Sequence, residues 1–156
     1  MEQKNKPYSR IACFGNDTKN IFLKTAIIII ELKYYYEEII SVSKYILENY
    51  LIGQSIGVKL YLREIDTFYK ERPIKEVSKS SKIFEKEIHT KLIELQETQE
   101  RIKQDQDRLI KIILNSQYKD MHQWGINLSL ERLSEMNLRF VNLIKLLNYV
   151  KENVKE

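Results

Sequence analysis

The sequence predicts an all-α fold: a bundle of four or five helices, with one long, partly solvated helix or helical hairpin over about residues 78–117. Three observations carry this. The 156 residues include only four Gly and two Pro, where average usage gives about 11 and about 8. These residues punctuate a chain, so their scarcity calls for few turns and long regular elements. Apolar residues recur at alternating spacings of three and four, the period of one helical face. The chain is 43% hydrophobic and 31% charged, enough of each to fill and to coat one domain of ordinary size.

Residues 1–16 lack a periodic pattern and read as an arm framed by Pro7 and Gly15, ahead of a single bundle domain over 17–156. Gly15 to Asp17 is a turn, and Asp17 or Thr18 is placed to cap the first helix. From Ile21 to Ile52 there is neither Gly nor Pro. Lys24, Glu31 and Glu38 fall seven apart, and Ser41, Lys44 and Glu48 continue near that face. This is a narrow wet stripe on a helix otherwise apolar nearly all round. A buried strand over Ile27 to Ile30 competes, because β-branched runs favour strand, but the polar period is helical on both sides. Tyr34, Tyr35 and Tyr36 take three successive directions on a helix, so at least one should reach a surface or a partner. Gly53 closes the helix.

Residues 54–72 fit two patterns. Ile56, Val58, Leu60 and Leu62 alternate as in a strand. Val58, Tyr61, Leu62, Ile65, Phe68 and Tyr69 form a longer helical face, which favours helix. Pro73 forces a break or opens the next element. The helix that follows has a heptad seam of Ile88, Leu92, Leu95, Ile102, Leu109 and Ile113, interrupted by Gln99 and Gln106. Residues 96–108 contain one apolar side chain, Ile102, so the middle is expected to be solvated or to protrude as a coiled-coil arm. A hairpin turn near Gln104 to Asp107 is the alternative. Gly125 and Asn127 mark the next break. Leu133, Met136, Phe140, Leu143, Leu147, Val150 and Val154 then keep the clearest three–four spacing in the chain, widened by Val141 and Ile144.

The net charge is +4, from 26 basic and 22 acidic residues. The first 30 residues hold five basic and two acidic side chains, so the excess sits near the N-terminus. It permits nucleic-acid binding without the basic stripe that coating a duplex usually needs. The single cysteine, Cys13, has no second thiol for a disulfide or a metal clip, which suits a reducing, cytoplasmic compartment. The most apolar run, Ala26 to Ile30, lies between Lys24 and Glu31 and is too short to span a bilayer.

Residues that carry chemistry are few. His89 follows Glu85 by four positions, which suits an ion pair on a helix face better than a di-metal Glu-x-x-His pair. Asp120, His122 and Trp124 in the last connector are the small-site candidate. The plainer reading is that Trp124 plugs the end of the bundle while Asp120 and His122 stay wet. Cys13, beside Phe14, reads as a packing residue. There is no phosphate-binding glycine loop, zinc spacing or nucleophile elbow. No catalytic residue, metal ligand or cofactor is therefore expected, and an enzyme ranks third.

The first functional expectation is a non-enzymatic interaction or assembly subunit. It would dock on a protein partner or a second copy through the seams of Leu95, Ile102 and Leu109 and of Leu133, Met136, Phe140, Leu143 and Leu147. The second is a nucleic-acid-binding accessory protein, such as a small subunit of a ribonucleoprotein or phage-encoded complex. It would use a ridge of Lys75, Lys79, Lys82 and Lys86, helped by Lys70, Arg72 and Arg10. Glu71, Glu76, Glu85 and Glu87 nearby argue for an ordinary solvated face instead.

Overall fold

A computed structural model describes residues 18–51, 56–71, 73–75, 84–115 and 120–154. They form four α-helices, α1 (Thr18–Asn49), α2 (Ile56–Glu71), α3 (Phe84–Asn115) and α4 (Gln123–Val154), with a single 3-10 turn at Asp120–His122 leading into α4. Among the described residues there is no strand. Both strand alternatives are thus settled as helix, and α3 is one helix rather than a hairpin. Among the described residues no helix is long and apolar enough to cross a membrane. The arm over 1–16, with Arg10 and Cys13, lies outside the described residues.

The helices run up, down, up and down. Along α1 and α4 the pairs Tyr50–His122, Glu38–Arg132 and Tyr35–Arg139 fix an antiparallel packing. α3 returns antiparallel to α4, where Lys151 Nζ lies 3.0 Å from His89 Nδ1. Lys44 reaches Asp66 at 2.7 Å, tying α1 to α2. One apolar cluster joins all four helices. α1 supplies Ile28, Leu32, Ile39 and Ile46, and α3 supplies Ile88, Leu95, Ile102 and Leu109. From α4 come Leu133, Phe140, Leu143 and Leu147. Tyr36 stacks on Phe140 with ring centroids 6.2 Å apart. Each such side chain stabilises the fold by roughly 1.5–3 kcal/mol relative to leaving it in water. Removal of a periodic apolar stripe from solvent is the main reason these segments are helical together.

Two expectations need correction. α1 is not dry nearly all round. Lys24, Glu31 and Glu38 are half-buried, while Leu23, Ile30, Tyr34 and Tyr45 are exposed. Of the three consecutive tyrosines, Tyr35 and Tyr36 are buried and Tyr34 faces out.

The polar middle of α3 does not protrude as a coiled-coil arm. Its outer positions, such as Glu97, Glu100 and Gln104, are exposed, but its inner face receives α2. Tyr61 is fully buried and its hydroxyl donates to the Asp105 carbonyl at 2.7 Å. The Arg108 guanidinium lies 4.2 Å from the Tyr61 ring centre and also pairs with Glu64. Arg101 holds Asp105 at 3.1 Å. A helix rich in Gln, Asp and Arg docks a neighbour here because its polar groups are partnered as they are buried.

Candidate interaction surface

The proposed seams lie inside the molecule. Leu95, Ile102 and Leu109 on α3 and Leu133, Phe140, Leu143 and Leu147 on α4 are all buried in the shared core, with Met136 packed at its edge. The sequence spacing is real, but these side chains meet one another. An incoming helix that read them would first have to open the bundle.

The small-site residues do not share a connector: Asp120 and His122 lie in the 3-10 turn and Trp124 in the first turn of α4, and the break expected at Gly125 and Asn127 is absent because both lie inside that helix. The side chain of Asp120 lies outside the described residues. His122 is half-buried, with its ring 5.6 Å from that of Tyr50 and Nδ1 3.2 Å from the Tyr50 carbonyl. As donor, Nδ1–H satisfies a carbonyl just past the end of α1. Trp124, by contrast, is 75% exposed. The expected roles are reversed: the histidine closes the end of the bundle and the tryptophan stays wet. Gly125 makes this closure possible, since a Cβ there would lie 2.7 Å from the Tyr50 hydroxyl oxygen. Tyr50 in turn packs edge-on against Tyr45 at 5.4 Å, and its neighbouring hydroxyl raises the Tyr45 pKa. Among the described residues no group of three or more His, Cys, Asp or Glu is close enough to hold a metal.

Of the basic ridge, Lys70, Lys75 and Lys86 are exposed; Arg72, Lys79 and Lys82 lie outside the described residues. Lys75 borders a cleft of about 420 Å³ between the end of α2 and α3. Lys91 and Arg101 also line it, but so do Glu71, Glu94 and Glu97, and it has no net charge to attract an anion.

What periodicity missed is the outer edge of the α1–α4 pair. Leu23, Ile27, Ile30 and Tyr34 follow at spacings of four, three and four, the pattern of a second helical seam. Leu23, Ile30 and Tyr34 are 46%, 58% and 52% exposed, and Ile27 is half-buried. Tyr45 extends the line toward the end of α1. On α4, Leu128, Arg132, Glu135 and Arg139 follow at four, three and four along the side turned to α1. Arg132 pairs with Glu38, and Arg139 donates to the Tyr35 hydroxyl at 3.0 Å while holding Glu135 at 3.0 Å. These contacts raise the Arg139 pKa, the Tyr35 hydrogen bond contributing most. The result is a two-helix face with apolar stretches at both ends and a band of engaged charges at its middle. The signal for it was the isoleucine run itself, which carries more apolar directions than one core can take.

No protein family, curated protein sequence or solved structure matches this chain.

Proposed function

We propose that this chain is a non-enzymatic helical interaction subunit that engages a protein partner through the outer face of α1 and α4. The supporting observation is the line Leu23, Ile30 and Tyr34, three large apolar side chains left about half exposed at heptad spacing on a well-packed helix. Scattered exposed apolar residues need no explanation, but a contiguous stripe on one helix face is the form in which helices recognise helices. A photo-crosslinking residue at Ile30 should trap protein, whereas one at exposed Glu97 on α3 should not. Failure of the Ile30 probe to form any protein adduct, foreign or self, would overturn the proposal.

A second reading, a nucleic-acid-binding accessory protein, draws support from the exposure of Lys70, Lys75 and Lys86. It requires affinity for labelled RNA or DNA that falls steeply with salt and drops again with Lys75→Glu plus Lys86→Glu. Binding indifferent to either change would sink it.

A further inference from the structure

We infer that α2 is a strap that undocks as a unit, uncovering the polar middle of α3 while α1, α3 and α4 stay packed as a three-helix core. This conformational device stands apart from the interaction reading above. Three features carry it: the small share of the core that α2 supplies, the kind of contact that holds it, and an open cleft at its C-terminal end.

α4 packs closely on both α1 and α3, whereas α2 adds only a short contact with α1. Among the described side chains of α2, those buried are Val58, Tyr61 and Ile65. By contrast, α1 buries a stripe running from Ile21 to Leu47, and α4 one from Ile126 to Val150. The free energy of a local opening grows with the apolar surface it exposes, so the element that buries least opens first.

The other contacts of α2 are polar. Tyr61 donates to the Asp105 carbonyl at 2.7 Å, Glu64 pairs with Arg108, and Asp66 takes Lys44 at 2.7 Å. Both ion pairs are open to water, so solvent and salt compete for their partners. The surface left behind on α3 suits water as well. Arg101 and Asp105 pair within α3 at 3.1 Å and keep that pair when α2 departs, while Arg108 and the Asp105 carbonyl regain solvent. Leucines in those places would hold the strap far more firmly. Further along, the two helices part. A cleft of about 420 Å³ lies between Glu71 to Lys75 and α3, where Lys91, Leu95, Thr98 and Arg101 line it. Open space supplies no packing, so this end of α2 loses little on opening. Ile74, just past the helix, is the one buried anchor among the described residues of that stretch.

The test is native-state hydrogen exchange of the full chain at rising urea. It is read at the centre of α2, Tyr61 to Asp66, so that fraying of the helix ends does not count. The expected result is one shared opening for these amides, at least about tenfold more populated than the opening that exposes Ile28 to Ile46 of α1. Its urea dependence should lie above zero and below that of global unfolding. Ile28→Val weakens the core toward the start of α1, away from the Lys44–Asp66 contact. It should speed exchange of α1 several-fold and leave the α2 opening unchanged, because the α1 contacts persist when the strap is off. Added salt should raise the α2 opening several-fold, and Glu64→Gln with Asp66→Asn should flatten that response. The inference is overturned if the α2 amides share the slowest exchange and the global urea dependence, since α2 then leaves only when the whole molecule unfolds. Exchange of α2 that ignores urea, as single-residue fluctuations do, overturns it too, and so does an α2 opening that rises with α1 in Ile28→Val. Should a variant fail to fold, the wild-type exchange decides by itself.

Discussion

Tyr61 is the strongest test of how α2 is held. Its ring is fully buried, its hydroxyl donates to the Asp105 carbonyl at 2.7 Å, and Arg108 covers its face at 4.2 Å. Tyr61→Phe removes only the hydrogen bond. The Asp105 carbonyl keeps its place in the α3 ladder, so the loss should be about 1 kcal/mol. Tyr61→Ala removes the ring as well, at about 3–5 kcal/mol. The two variants should also differ from wild type in alkali. Burial, with the nearby Asp105 charge, raises the Tyr61 pKa above its ordinary value of 10.0. The folded phenol therefore stays protonated where the unfolded one ionises. Its contribution is intact below about pH 10 and is lost as pH climbs beyond it, by up to about 1.4 kcal/mol per pH unit. Tyr61→Phe should flatten that slope. Urea unfolding across pH measures both effects, and hydrogen exchange over Ile56–Glu71 shows whether the damage concentrates in α2. The reasoning fails if Tyr61→Phe costs as much as Tyr61→Ala, or if the alkaline slope is unchanged without the hydroxyl.

Three further outcomes follow from the packing. His122→Ala should cost about 1 kcal/mol through the lost cap on α1, while Trp124→Ser should stay within about 0.5 kcal/mol; thermal melts showing the reverse order would refute the assignment of these two residues. Gly125→Ala should destabilise when Tyr50 is present and stabilise, by up to about 1 kcal/mol of helix propensity, when Tyr50 is Ala; additivity in that double-mutant cycle would show that the close approach is relieved at no cost. Thr25 is fully buried, and its hydroxyl finds no partner among the described residues. Thr25→Val should therefore raise stability by about 1 kcal/mol, and a fall in urea midpoint would reveal a partner for it.

Much of the fold was legible because apolar burial leaves a period. Leu133, Phe140, Leu143 and Leu147 form the core stripe of α4 that their spacing announces, and Gly and Pro scarcity anticipates 32-residue helices. Two things left no such trace. Polar docking has no period: nothing in residues 96–108 distinguishes an Asp105 that accepts Tyr61 from an aspartate in water, because the distinction lies in α2. Nor does a heptad say whom it faces. The seams of α3 and α4 and the Leu23 to Tyr34 line of α1 look alike in sequence, yet the first two close the core and the third stays outside. The reversal at His122 and Trp124 has a related cause. Burial preference favours the larger apolar side chain, but only the imidazole offers a donor to the Tyr50 carbonyl.

The antiparallel pairing of α1 with α4 also decides what an attachment would present. Thr18 and Val154 emerge at the same end of the bundle, while the Tyr50–His122 closure with Trp124 sits at the other. A helix of 32 residues is about 48 Å long. A surface, bead or fusion joined directly at Thr18 or Val154 would therefore hold the bundle as an upright post, with Trp124 carried roughly that distance away from the anchor. Label pairs for distance measurements belong at opposite ends of this post, where separation is fixed by helix length rather than by side-chain packing.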